Sequence, residues 1–229
     1  MPMAPVEDCV QQLLAYVALL RRWNTAFNLV GRSDVHRLIE RHLVDALQLG
    51  PVLQPPNLLD IGSGAGLPGM VLAIVFPDLQ ITLLERAPRR ARFLTQTQLQ
   101  LTLANLHVVN GDATIWRNAS GFATVTARAV ASGELLGEMV RPHLASTGVL
   151  VAQFGAHQDE RHIPPGFTVL HTGEYQLPDN PAVYRLLVLR NAVPVVGAVS
   201  SRTEPNRNEL SSTGPSRQVS SKQQGTPRG

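Results

Sequence analysis

One stretch constrains this chain more than any other: a buried strand that runs into a glycine-rich turn and out into a helix. It reads Asn57-Leu58-Leu59-Asp60-Ile61-Gly62-Ser63-Gly64-Ala65-Gly66-Leu67-Pro68-Gly69. In α/β folds such a turn sits at the carboxyl edge of the sheet, in the crevice where ligands bind. Glycines at 62, 64 and 66 let the backbone pass close to a ligand, because no Cβ stands in the way. Asp60, at the strand end, is placed either to orient the loop or to meet the ammonium of an amino-acid moiety. Roughly twenty residues on, Ile81-Thr82-Leu83-Leu84-Glu85 ends a second strand on a carboxylate, which can accept hydrogen bonds from both hydroxyls of a ribose.

The rest of the chain supplies the frame for that turn. Val10, Leu13, Leu14 and Val17 recur at helical spacing, which predicts an amphipathic helix over Val6–Leu20. Ser33-Asp34 offers an N-cap to a second helix reaching Leu49, stopped by Gly50-Pro51. Strands are expected at Asn57–Ile61, Ile81–Leu84, His107–Val109, Ala123–Ala127 and Gly148–Gln153. Helices are expected at Met70–Val75, Pro88–Leu103 and Gly133–Leu144. That alternation marks βαβ units and a parallel sheet. After Gly155 the rhythm changes: Phe167–Leu177 and Val183–Arg190 read as two strands joined by Pro178-Asp179-Asn180-Pro181, with no helix between them.

Composition narrows the classes. The chain has 229 residues and 44% hydrophobic residues, enough for one domain with a full core and a small extension. No apolar run is long enough to span a bilayer, and the first residues lack a basic and then apolar leader pattern. The single cysteine, Cys9, cannot form an internal disulfide; together these features predict a cytoplasmic protein. The net charge of +3 resides in the segment from Val195 onward, with five basic and two acidic residues, while the body is balanced. A nucleic-acid partner therefore has to be argued from local clusters. From residue 194 to 229 the chain is rich in Ser, Arg, Gln, Pro and Gly, which predicts a disordered basic tail. The domains expected are a helical cap at 1–50, a ligand-binding α/β domain at 51–193, and that tail.

Gly64-Ala65-Gly66-Leu67-Pro68-Gly69 also fits the G-x-G-x-x-G fingerprint of nicotinamide dinucleotides. In that frame the strand should run straight into Gly64, but Gly62-Ser63 already breaks it, and Asp60 puts a charge where such strands are apolar. A nucleoside carrying a sulfonium amino acid suits the stretch better. Further residues decide the matter. Arg22-Trp23-Asn24, Phe27-Asn28-Leu29-Val30, Glu40-Arg41-His42-Leu43-Val44-Asp45-Ala46-Leu47, Asp60–Gly69, Arg89-Arg90-Ala91-Arg92-Phe93-Leu94 and Thr126-Ala127-Arg128-Ala129-Val130 occur in this order. Over about residues 10–193 the chain resembles the ribosomal RNA small-subunit methyltransferase G family, bacterial enzymes that methylate N7 of a guanine in 16S rRNA.

The resemblance implies a class I methyltransferase fold: a Rossmann-like, doubly wound, mostly parallel sheet of seven strands with an N-terminal helical cap, closed by the hairpin. It implies S-adenosyl-L-methionine as cofactor, the 30S subunit or its 16S rRNA as partner, and a monomer. Positions matching the family's cofactor contacts are Gly62, Leu67, Ala113, Thr114 and Arg128, to which the residue reading adds Gly64 and Glu85. Three positions depart from the family: Thr114 stands where an acidic residue is usual, Phe154 where a lysine is, and Arg86 where a small residue is. Phe154 and Thr114 keep open a cofactor-binding protein without turnover, beside methylation of a small molecule or protein. Guanine N7 already carries a lone pair, so no general base is required, and no catalytic residue is singled out.

The RNA-facing candidates are arginines. Arg37 and Arg41 fall one turn apart on the expected second helix, and Arg89 and Arg90, with Arg86 and Arg92, follow Glu85. Guanidinium forks suit phosphates, although a basic helix face is as often merely solvated. His42 shares an apolar face with Val35, Leu38, Ile39 and Ala46 and reads, by its neighbours, as a buried, hydrogen-bonded histidine. Trp23 and Phe27 read as packing between cap and sheet. His107, His143, His157, His162 and His171 show no ligand spacing, so no metal site is expected.

Overall fold

In a computed structural model of the chain, the structure describes residues 1–128, 133–154, 163–178 and 180–192, without the side chains of Arg32 and Ser33. All of them lie in the unit Met1–Val196. Ala129, Val130, Gly155, His157, His162, Asp179, the Ser33 cap and the tail from 194 lie outside what is described.

The described segments run α1 (Val6–Phe27), a 3-10 turn (Arg32–Arg37), a π-helical turn (Leu38–Leu43), α2 (Val44–Leu47), β1 (Asn57–Ile61), α3 (Gly69–Val75), β2 (Gln80–Glu85) and α4 (Pro88–Gln100). They continue with β3 (Leu106–Asn110), β4 (Phe122–Ala127), α5 (Gly133–Val140), β5 (Leu144–Phe154), β6 (Phe167–Leu177) and β7 (Asn180–Asn191). The seven strands form one sheet in the order β3-β2-β1-β4-β5-β7-β6. β1 to β5 pair in parallel, and β7 pairs antiparallel to both β5 and β6. The expected alternation and closing hairpin are thus present, with β7 lying between β5 and β6.

Residues of β1 alternate between faces, as a pleated strand requires. Leu58 joins a core built with α1, α3 and α4, including Tyr16, Met70 and Phe93. Leu59 and Ile61 join the opposite core with Leu136 and Val140 of α5. Both faces of the sheet are covered, which explains why every residue of β1 after Asn57 is buried.

Two expectations about the N-terminal helices need correction. α1 extends to Phe27, and its buried face is Cys9, Tyr16, Val17, Leu20 and Asn24. Val10 and Leu14, expected inside, are 46% and 49% exposed. Apolar spacing alone overlooked that the tyrosine ring and the cysteine bury well, and Tyr16 is wholly buried because its hydroxyl donates to the Ala65 carbonyl at 2.7 Å. The N-terminal helix therefore holds the glycine-rich loop directly. The expected helix from Ser33 to Leu49 is instead three short windings, 3-10, π and α, so Arg37 and Arg41 do not share one regular α-helical face. Trp23 packs 5.5 Å from the Phe93 ring and 5.3 Å from Phe27, as expected of a cap contact, although Phe27 itself is 41% exposed.

Candidate active site

The strand register assembles the site. Ile61 of β1 aligns with Leu84 of β2 and with Ala127 of β4, so the next residues, Gly62, Glu85 and Arg128, meet at one edge. That edge is the carboxyl end of the parallel strands. β1 and β4 are sheet neighbours there, although β1 connects onward to β2 and β3 on the other side, which makes this the switch point of an open α/β sheet. A cleft of about 400 Å³ opens there, lined by Gly62, Glu85, Arg86, Arg90, Asp112, Ala113, Thr114, Arg128 and Met139 among others. Its size suits a nucleoside-sized ligand.

The glycines divide by task. Gly62 lines the cleft with φ +69°. Gly64, at φ +57°, donates its N–H to Glu85 Oε2 at 2.8 Å. Gly66 has no place in the cleft: a Cβ there would come within 2.9 Å of Met70 Cβ and 3.1 Å of Leu94 Cδ2, so it permits close packing and not ligand approach. Leu67, expected at the cofactor, turns its side chain into the core at 4% exposure, because its backbone N–H continues the loop's turn to Ser63 O at 3.2 Å.

Two carboxylates fix the loop's shape. Glu85, 3% exposed, accepts from Gly64 N with one oxygen and from Ala87 N with the other, both at 2.8 Å. Each oxygen keeps a second lone pair, so the expected pairing with two ribose hydroxyls remains open to it. Of the two roles open to Asp60, the structure favours loop orientation: it is 1% exposed and accepts from Gly69 N and Thr126 Oγ1, both at 3.1 Å. Burial pushes its carboxyl up to about 6, against bonds from Gly69 and Thr126 that favour the charge. The folded chain thus holds this proton more tightly than the unfolded one. The group supports folding fully below about pH 4, and that support is lost as the pH rises through about 6. A carboxyl-carbon NMR titration is expected to place the Asp60 midpoint near 6; a midpoint near 4, the ordinary carboxylate value, would contradict the burial.

On the far side of the cleft, Asp112 Oδ1 accepts from both the N–H and the hydroxyl of Thr114, at 2.8 and 2.7 Å. These bonds hold the Asp112 carboxyl below its usual range. The Thr114 N–H is therefore already engaged. Ala113 O accepts from buried His143 Nε2 and from Arg117 Nη1, both at 2.9 Å.

Arg128 reaches the rim but is not unpartnered: its Nη1 donates to Asp45 Oδ2 at 3.0 Å. Asp45 also accepts from the Tyr175 hydroxyl and from Gln153 Nε2 at 3.1 Å. Asp45, Gln153 and Tyr175 were not anticipated; only the Glu40–Leu47 motif pointed near them. Arg90 and Arg86 line the cleft, and Arg89 and Arg92 are exposed. Arg41, expected to face RNA, has its Nη1 engaged by Asp34 Oδ1 at 2.7 Å. Phe154 is a 7% exposed core residue on the α5 side, so the side chain at this departure fills space in that core. His143 is bonded, His107 and His171 are exposed, and the ring nitrogens of His42 have no hydrogen-bond partner among the described residues.

The profile of the family rRNA small subunit methyltransferase G matches residues 9–163 of this chain. Ribosomal RNA small subunit methyltransferase G of Pseudomonas aeruginosa (strain LESB58) is 39% identical over 187 residues, covering 80% of this chain and 87% of that one. The protein of that name from Chromohalobacter salexigens is 36% identical over 184 residues, covering 80% and 88%. Among solved structures, an MtNAS variant with S-adenosylmethionine superposes with a TM-score of 0.54 at 16% identity, covering 79% of this chain and 72% of that one. The glycopeptide N-methyltransferase MtfA with the same ligand gives 0.51 at 12% identity, covering 65% and 86%. These likenesses establish the class I methyltransferase fold.

Proposed function

The chain belongs to the rRNA small subunit methyltransferase G family, and on that premise we propose that it methylates N7 of a guanine in small-subunit rRNA, with S-adenosyl-L-methionine as donor. The observation that carries this reading is the convergence of Gly62, Glu85 and Arg128, by strand register, on one cleft. The cofactor supplies a methyl group activated by a sulfonium. Glu85 suits its ribose, and Arg128, steadied by Asp45, has further guanidinium donors for its carboxylate. The loop 111–114 is left for the adenine edge. Gly64 takes part as the donor that sets Glu85, and Leu67 as a core anchor of the loop.

The protein's task is then positioning. The nucleophilic nitrogen must lie about 3–3.5 Å from the methyl carbon and in line with the bond to sulfur. Exposed Arg89, with Arg90 and Arg86 at the cleft rim, supplies cations where RNA phosphates would approach. Arg41 contributes at most from the engaged side of its pair with Asp34, and Arg37 lies beyond it at the end of the 3-10 turn. The reading includes a monomer acting in the cytoplasm on the 30S particle. No described helix is long and apolar enough to cross a membrane.

The test is transfer of a labelled methyl group to unmodified 30S particles and, separately, to protein-free 16S rRNA. One guanine labelled at N7 is expected, with the rate falling as salt rises. Label on a protein or small molecule, with none on rRNA at any salt, would overturn the reading.

A further inference from the structure

The end of α1 and the 3-10 turn after it enclose a second hollow, of about 270 Å³. It is lined by Arg21, Asn24, Thr25, Asn28, Val35 and His36, none of which lines the cofactor cleft. Asn24 is the informative residue. It is 8% exposed, and its Oδ1 accepts from the Val30 N–H at 2.8 Å, which fixes the way the amide points. Its Nδ2 has no partner among the described residues. Unlike the His42 ring nitrogens, that atom is not sealed from the surface, and the opening it lines is this hollow. A buried residue that keeps one donor unbonded and reachable is unusual in a folded chain. Arg21 and His36 are exposed beside it, and Arg21 pairs with no described carboxylate. No acidic residue lines the hollow. Free carbonyls at a helix end repel anions. Here the Asn28 N–H covers the Asn24 carbonyl, and the Thr25 hydroxyl covers that of Arg22.

We propose that this hollow seats a phosphate of the rRNA backbone, held by Asn24 Nδ2 and the Arg21 guanidinium, with His36 at its mouth. This rests on the rRNA reading above and adds an anchor outside the cofactor cleft. A fixed amide donor beside an unpaired guanidinium, with no carboxylate near, is what a phosphate oxygen requires. The position suits an extended substrate. Trp23, next to Asn24 in the chain, packs 5.5 Å from Phe93. Phe93 lies three residues beyond Arg90 of the cleft rim on α4, which is about 4.5 Å along a helix axis. The hollow and the arginines of the rim are thus neighbours across one helix contact. A phosphate held there reads no sequence; it fixes the register and direction of the strand that presents its guanine to the cleft.

The test measures binding of the full chain to unmodified 30S particles over a range of salt concentrations, with S-adenosylhomocysteine affinity and unfolding temperature alongside. Arg21→Gln is expected to weaken binding about tenfold at low salt and to flatten the slope of log affinity against log salt by about one. Asn24→Asp keeps an acceptor for the Val30 N–H but turns the donor into an anionic oxygen, and should weaken binding at least as much. In both, KM for 30S particles rises while kcat and S-adenosylhomocysteine affinity stay at wild type. Arg190→Gln, on β7 opposite Val149 and so away from the cleft edge, should keep the wild-type slope. Unchanged affinity and slope in Arg21→Gln would overturn the proposal, whatever Asn24→Asp does. So would a folded Asn24→Asp that binds as wild type, or an equal loss in Arg190→Gln, which would mean bulk charge. A wild-type protein that binds S-adenosylhomocysteine but leaves rRNA unlabelled would overturn the function itself, whereas the outcomes above leave it standing.

Discussion

Glu85→Ala is expected to raise the dissociation constant for S-adenosylhomocysteine by about 100-fold or more, equivalent to about 2.7 kcal/mol. The loss has two sources. The carboxylate is the acceptor suited to both ribose hydroxyls, and hydrogen bonds to a charged group contribute about 1.5–3 kcal/mol. It also accepts from Gly64 N and Ala87 N, so its removal strands two backbone donors and releases the loop from its position. Unfolding in urea should therefore show a concurrent loss of about 2 kcal/mol. Glu85→Gln keeps one acceptor oxygen and should fall between wild type and alanine in both measurements. Calorimetry decides the matter: an affinity for Glu85→Ala within about threefold of wild type would remove Glu85 from the site.

Gly69→Ala, a single added methyl, is expected to destabilise the chain by about 3 kcal/mol, at the upper end of what overpacking costs. Gly69 opens α3 and donates its N–H to Asp60 Oδ2. A Cβ there would collide with Leu83 Cδ2 and lie 2.9 Å from Asp60 Oδ2 and 3.1 Å from Asp60 Cβ. The leucine tip can swing, but the carboxylate is fixed by Thr126 and buried. The helix must back away, taking the loop with it, so cofactor affinity should fall together with stability. Gly64 presents the opposite case. A Cβ there would meet only Gly62 O, at 3.7 Å, so the φ of +57° and the bond to Glu85 make that position sensitive, not crowding. Chemical denaturation of Gly69→Ala within about 0.5 kcal/mol of wild type would show that α3 and β2 are not tightly clamped at this point.

Much of the fold was legible because the sheet is built from local signals. Short apolar runs, a glycine turn and helical spacing locate β1 to β5 and α3 to α5 within a few residues. Of the residues that line the cleft, Gly62 and Glu85 were legible from the glycine turn and the strand end, whereas Ala113, Thr114 and Arg128 came only from the family resemblance. What stayed hidden depends on distant partners. Beside Met70, four residues on, Gly66 is crowded by Leu94 and Tyr16, which nothing near it in the chain announces. Arg41 looked available because Asp34, seven residues earlier, is brought back to it only by the change of winding between the 3-10 and π turns. Asp45 looked like one more polar residue of a helix, since its partners lie on β4, β5 and β6 or at their ends.

That last carboxylate has a bearing on how the enzyme is made. Asp45 is bonded to residues 83, 108 and 130 positions away along the chain. Closing loops of that length costs entropy before any contact repays it. During synthesis Asp45 and Arg128 both emerge well before Tyr175, so their pair can form ahead of the hairpin, which is among the last portions of the sheet to be translated. The nascent chain can thus bring the two together before the tyrosine hydroxyl reaches Asp45. The full set of bonds around that carboxylate is completed only when the sheet has closed.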